Sequence, residues 1–178
     1  MIPGFIISVL TFPGVIVHEL AHQLFCRLCN VAVFDVCYFQ CENPAGYVVH
    51  EKPKYSYQNI LIGVGPFLIN TLIGMLITFP VSLQVVELKI SFLQSPFSYI
   101  LMWLGISILM HAFPSTGDAK NMWKSIKAEE TSIVTKIIGA PIVMLIYVGA
   151  IGSVAWLDLF YAIAMSTVIP DIIINCLA

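Results

Sequence analysis

The chain is dominated by runs of about 20 apolar residues, each long enough for an α-helix to cross the hydrocarbon core of a bilayer. Hydrophobic residues make up 59% of the sequence and charged residues only 10%, against about 25% in soluble domains. With 178 residues, several such runs leave little room for a separate soluble domain. We therefore predict one membrane-embedded domain, 1–178, with an all-α polytopic fold of four to five transmembrane helices, at 2–25, 60–79, 97–113, 137–154 and, with an interruption at Pro170, 159–176.

Residues 31–50 depart from this helical pattern. They are rich in β-branched and aromatic residues and contain the turn sequence Asn-Pro-Ala-Gly at 43–46, which predicts a small β-hairpin or ribbon after the first helix. The polar stretch 119–136 is predicted to form a helix along the membrane surface. The first apolar run lacks a basic leader and a small-residue cleavage site, so we expect it to remain in the mature protein.

Basic residues predict the orientation of the helices. All of them except Lys89 lie in the connections after the first and third spans. Lys89 lies with Glu87 in the connecting segment 81–95, which we expect to lie along the membrane surface. Because basic connections stay in the cytoplasm, the N-terminus is predicted to be outside. The net charge of −2 provides no basic patch for nucleic acid, so the bilayer is the expected partner.

The first apolar run carries the ionisable turn His18-Glu19-Leu20-Ala21-His22. On a helix, residues i and i+4 share a face, so both imidazoles can reach one ion while Glu19 holds a water beside it. The competing explanation is a chance occurrence of a short pattern. Three ionisable side chains near mid-bilayer would each cost about 2–3 kcal/mol unless they are paired or metal-bound. This cost favours a zinc site.

Catalytic zinc commonly takes three protein ligands and one water. In the predicted topology Asp118, just after the third span, reaches the same cytoplasmic side as the two histidines. Asp118 is therefore the predicted third ligand, and its alternative role is as the N-cap of the following helix. The other candidates are, in order, His111, Asp171 and His50.

The odd number of cysteines does not suggest a secreted disulfide framework. Four of them lie just after the first span, and two interpretations remain open. One is a closed Cys₄ zinc centre, and the favoured one is a set of reduced thiols on the cytoplasmic side. These residues are Cys26, Cys29, Cys37 and Cys41.

An ordered set of motifs connects these observations to a known family. The histidine turn 18–22 is followed by Pro44-x-Gly46-Tyr47-Val48, by Gly65-Pro66-Phe67-Leu68-Ile69-Asn70, and by a proline-led segment from Pro114 to Asp118. In this order the chain resembles the site-2 protease family of intramembrane zinc metalloproteases over roughly residues 14–120. The family usually has Asn where this chain has His111, and an Asp-Gly pair one residue beyond Asp118. We expect a minimal or divergent member.

The resemblance and the residues together predict zinc-dependent hydrolysis of peptide bonds in membrane protein or peptide substrates, on the cytoplasmic side. His18, His22 and Asp118 would hold one Zn²⁺, and Glu19 would act as the catalytic base. Asn70 and His111 are predicted to steady the substrate or the oxyanion. The alternatives are a metal-binding membrane protein without protease activity, such as a transporter or sensor, and a catalytically inactive structural relative.

Overall fold

The computed structural model describes residues 4–86 and 96–177, and most of them are helical. In the C-terminal part of the chain, a 3₁₀ turn at Ser153–Ala155 and a π-helical turn at Ala164–Val168 each join two neighbouring α-helices. The regular elements in chain order are α1 (Gly4–Leu10), α2 (Phe12–Leu28), β1 (Val33–Cys37), β2 (Tyr47–His50), α3 (Ser56–Val86), α4 (Pro96–Met110), α5 (Thr116–Lys127), α6 (Ile133–Gly152), α7 (Leu157–Ile163) and α8 (Ile169–Leu177).

Three helical segments are long and apolar enough to cross a membrane: Ser56–Ser82, Ile133–Ala155 and Leu157–Cys176. They match the predicted second, fourth and fifth spans, and they indicate a protein inserted in a membrane. The last segment continues through Pro170, and the carbonyl of Ser166, four residues earlier, accepts from the hydroxyl of Ser82 at 2.6 Å instead of from a backbone N–H.

The prediction of four to five spanning helices is wrong for the first and third runs. The first run, 2–25, is divided at Thr11, and α2 has 17 residues. Pro13 explains the break: its ring would clash with the last turn of α1 and has no N–H to continue it, but it fits the start of α2. The third run is α4, which has 15 residues and ends at Met110. Among the described residues, only three helices therefore meet the length needed to span.

The segments around these helices also differ in part from their predictions. The helix predicted at 119–136 is α5, which begins at Thr116 and ends at Lys127. It buries Ala119, Met122 and Ile126 and exposes its lysines. Of the predicted connection 81–95, the first six residues continue α3, and Glu87 and Lys89 lie outside the described residues.

The predicted hairpin is confirmed as an antiparallel pair of strands, β1 and β2, with Cys37 opposite Tyr47. The loop between them lies alongside α2. Its Phe39 ring packs 5.7 Å from that of Phe12 at the start of α2, and Phe12 in turn packs against Trp103 of α4. The hairpin therefore follows the helix that carries the histidine turn.

Helices α2, α3 and α4 approach each other closely through glycines. A Cβ added to Gly14 of α2 would lie 2.0 Å from the backbone oxygen of Ser107 in α4. Gly74 of α3 and Gly105 of α4 meet in the same way, each with the other's backbone oxygen 3.0 Å from its added Cβ. Small residues allow such backbone contact between helices in a membrane. This packing brings the histidine turn of α2 against backbone groups of both neighbours.

Candidate metal centre

Three possible ligands converge between α2 and the first turn of α5. One ligand atom each from His18, His22 and Asp118 lies within 4.8 Å of the others, and in the part of the chain that the structure describes this is the only such group of three or more His, Cys, Asp or Glu. The two imidazole Nε2 atoms are 3.2 Å apart. The Oδ2 atom of Asp118 is 3.7 Å from Nε2 of His22. Both histidines are buried, and Asp118 is partly exposed.

The other nitrogen of each imidazole fixes the orientation of its ring. Nδ1–H of His18 donates to the backbone oxygen of His111 at 2.7 Å, and Nδ1–H of His22 donates to that of Ile62 at 3.1 Å. Because a carbonyl only accepts, both Nδ1 atoms carry the proton. In a neutral ring, Nε2 then has a lone pair. Backbone carbonyls commonly hold metal-binding histidines in this way.

Breaks in the neighbouring helices supply these two carbonyls. Pro66 has no N–H, so the carbonyl of Ile62, four residues earlier in α3, lacks its ordinary helical donor. Helix α4 ends at Met110, and the N–H of Ser115 bonds to Asp118 rather than back to His111. Both carbonyls are therefore free to accept from the site; that of Ile62 lies within α3 and that of His111 directly follows α4, and both helices pack against α2.

The separation of the two histidine nitrogens fits a tetrahedral cation, while Asp118, 3.7 Å from His22, lies slightly farther away. Two Nε2 lone pairs 3.2 Å apart would repel each other with nothing positive between them. Two nitrogens bound to one tetrahedral zinc at about 2.0–2.1 Å lie about 3.3 Å from each other, which agrees with the observed separation. A carboxylate completes a set of three ligands of the types that zinc uses at catalytic sites.

The alternative role of Asp118 as the N-cap of α5 is wrong, because the N-cap is Ser115 and Asp118 completes its capping box from inside the first turn. The Ser115 hydroxyl accepts from the N–H of Asp118, while the Asp118 carboxylate accepts from the N–H of Ser115 at 3.1 Å and from its hydroxyl. This capping box holds the carboxylate in place. The two roles are compatible, because the capping box fixes the same Oδ2 atom that faces His22.

Asn70 and His111 lie beside the ligands rather than among them. The fully buried amide of Asn70 donates from Nδ2 to the carbonyls of Gly14, Ile108 and His111 at 3.0–3.2 Å. The His111 ring forms a hydrogen bond with the hydroxyl of Thr11 at 2.8 Å. Asn70 thus fixes the carbonyl that orients His18. The contact of either residue with a substrate stays a prediction.

The remaining candidates lie apart from the cluster. Nδ1 of His50 bonds to the neighbouring carbonyl of Glu51, and Asp171 accepts from Asn175 one turn later. The four cysteines are free thiols and do not form a metal-binding group among the described residues. Cys26 is fully buried and packs against Val31 and Ile62, as expected for an inert thiol.

The hairpin closes the site on one side. Glu19 is only 8% exposed, and a Cβ on Gly46 would lie 2.7 Å from its Cγ atom. The loop that ends at Gly46 is held by the Phe39–Phe12 contact and by Tyr38, whose hydroxyl donates to Gln23 at 2.8 Å. Asp118, with a side chain 33% exposed, marks the more open side.

Some parts of the site were not predicted from the sequence. The Ser-x-x-Asp spacing at 115–118 is a recognisable capping signal, and the loss of a helical donor at Ile62 follows from Pro66. No local pattern shows that His22 packs against Ile62 or that Thr11 meets His111, because those contacts depend on helix packing. No family model, curated protein or solved structure matches this chain.

Proposed function

We propose that this protein is an intramembrane zinc metalloprotease that hydrolyses peptide bonds of membrane-associated or transmembrane substrates. The observation that carries the proposal is the convergence within 4.8 Å of His18 and His22, from the mostly apolar helix α2, with Asp118 from α5. The ordered motifs shared with the site-2 protease family support it. The proposed cytoplasmic location rests on the basic residues of 27–54 and 120–136, the two stretches that flank the metal-binding residues in sequence.

Each residue has a defined part in the proposed reaction. When bound, zinc would polarise the scissile carbonyl and make its bound water more acidic. Glu19 is not part of the ligand group, and among the described residues its carboxylate has no hydrogen-bond or ion-pair partner. It is free to take a proton from the attacking water and to return it to the leaving amine. Asn70 keeps His18 oriented through the carbonyl of His111.

The hairpin is proposed to present the substrate. The amides of a transmembrane helix are shielded by its own hydrogen bonds, so the substrate must unwind before cleavage. A two-stranded sheet leaves unpaired edges, which can pair with an extended peptide. The β2 strand begins directly after Gly46, which packs on Glu19. An edge-paired peptide would therefore pass close to the proposed base.

Proline at Tyr47 tests this presentation. Tyr47→Pro removes a backbone N–H from β2 and should reduce cleavage at least tenfold while leaving zinc content unchanged. Tyr47→Phe is the matched control, because it keeps the backbone and removes only the hydroxyl that donates to Asp35, a bond that also raises the pKa of Tyr47. Cleavage at the normal rate in Tyr47→Pro would exclude the edge as the presenting surface.

Metal analysis combined with a cleavage assay tests the proposed function. Purified wild type should hold one zinc per chain, and His22→Ala should lose it, whereas His50→Ala, which changes a histidine outside the cluster, should retain it. Glu19→Gln should keep the zinc and lower cleavage of a membrane peptide about 10²–10⁴-fold. Zinc binding with full function in Glu19→Gln would instead indicate a transporter or sensor. Wild type without stoichiometric metal would indicate an inactive relative.

A further inference from the structure

A cavity of about 470 Å³ lies at the junction between the end of α2, the link after β2 and the start of α3. It is separate from the metal centre. Its lining includes Lys52 and Lys54 from the link, Tyr55 and Tyr57 around the start of α3, and Leu28 and Leu61 from α2 and α3. Cavities of this size are large enough for a small ligand.

The polar part of the cavity favours an anion. Its ionisable lining residues are Lys52, Lys54, Glu51, two tyrosines and one thiol, so the formal charge is positive. Both lysines are exposed, and within the described ranges neither forms an ion pair. Nζ of Lys54 lies 5.3 Å from the centre of the Tyr55 ring, and this ring stacks on Tyr57. Two unpaired ammonium groups are thus held beside one polar opening.

The apolar residues of the cavity lining lie further along the candidate span than the lysines do. The candidate span begins at Ser56, so both lysines precede it in the chain. Leu61 lies five residues further along α3, about 7 Å deeper. Its side chain and that of Leu28 are both exposed. The order from lysines through tyrosines to leucines matches the order from headgroup to acyl chain in a lipid.

We propose that this cavity binds one anionic phospholipid, with the phosphate at Lys52 and Lys54 and an acyl chain along Leu28 and Leu61. A soluble phosphate ester shares the headgroup chemistry but would leave the two leucines uncovered. The same link connects the hairpin to α3, and Leu61 precedes the residue whose carbonyl orients His22. A lipid bound here would therefore contact the turn of α3 that supports the metal centre.

Lipid exchange tests the proposal without any activity assay. The full chain is purified, equilibrated with mixed micelles of phosphatidylglycerol and phosphatidylcholine, re-isolated, and its retained lipid is quantified by mass spectrometry. Wild type should retain about one phosphatidylglycerol, with at least tenfold preference over phosphatidylcholine. Lys52→Gln/Lys54→Gln should bring that preference close to one, because each lysine near an anionic surface contributes about fivefold.

A matched pair separates the cavity from general surface charge. Lys120 and Lys124 are exposed on α5 and do not line this cavity, so Lys120→Gln/Lys124→Gln should change the preference less than twofold. Leu28→Gln/Leu61→Gln should weaken retention with the lysines intact. The proposal would be overturned if wild type showed no preference for phosphatidylglycerol, or if both lysine pairs lost that preference equally. It would also be overturned if equimolar glycerol 3-phosphate displaced the lipid. Circular dichroism and gel filtration establish that the variants are folded.

Discussion

Polar groups are arranged differently in two parts of the structure, the residues before 128 and the residues after 132. In the first part, α2 and α4 are short and α3 contains Pro66, and the resulting free carbonyls bond to the two histidines. In the second part, Ile133–Ala155 and Leu157–Cys176 are long and apolar, and none of their side chains joins the metal-binding group. The second part is interrupted too, at Pro141 and at the turns 153–155 and 164–168, so the comparison shows that an interruption serves the site only where the freed carbonyl faces a histidine.

The sharpest test of this comparison removes one carboxylate from each part. Asp118→Ala should weaken zinc affinity by more than about 100-fold, because losing a ligand costs more than the 10–100-fold typical of losing a residue that orients one. Asp171→Ala removes a carboxylate from the second part and should leave affinity unchanged. Affinity is measured by competition with a chelator. If Asp118→Ala binds zinc with the affinity of wild type, Asp118 is not a ligand.

A pair of proline substitutions tests whether the helix interruption itself matters. Pro66→Ala restores an N–H that can bond to the carbonyl of Ile62, so the hydrogen bond from His22 should weaken and zinc affinity should fall about 10–100-fold. Pro141→Ala makes the same change inside α6 and should leave affinity intact. Both variants should unfold at the same or a higher temperature. If Pro66→Ala binds zinc like wild type, the freed carbonyl is not needed.

The smallest expected effect concerns two helix caps. Ser115 caps α5 and holds Asp118, whereas Ser132 caps α6 by accepting from the N–H of Thr135 at 3.2 Å. Changing either serine to alanine should lower the free energy of unfolding by about 0.5–2 kcal/mol. Only Ser115→Ala should also weaken zinc binding, by severalfold. Equal zinc affinities in the two variants would show that the cap does not position the ligand.

The sequence was informative where the structure depends on local pattern. The spacing of His18 and His22 placed both imidazoles on one helical face, and the composition of 31–50 predicted the hairpin. Counting spans from apolar runs failed in the first part, because the run 2–25 gives no sign in its hydropathy that Thr11 interrupts it. Asp118 was chosen from a topology argument, and its closeness to His22 depends on how α5 packs. The hydrogen bond from His22 to Ile62 depends on packing alone.

The carbonyl that Pro66 leaves free at Ile62 affects how such a site can be transferred to another protein. A histidine turn grafted onto one helix of an unbroken bundle would find every nearby carbonyl already bonded within its own helix. Nothing would fix the orientation of its imidazole rings. The graft would therefore supply two ligands without holding them in the geometry that the metal needs. A designer of a metal site in lipid would therefore first place a proline on the neighbouring helix, four residues after the intended acceptor, and only then choose the histidines.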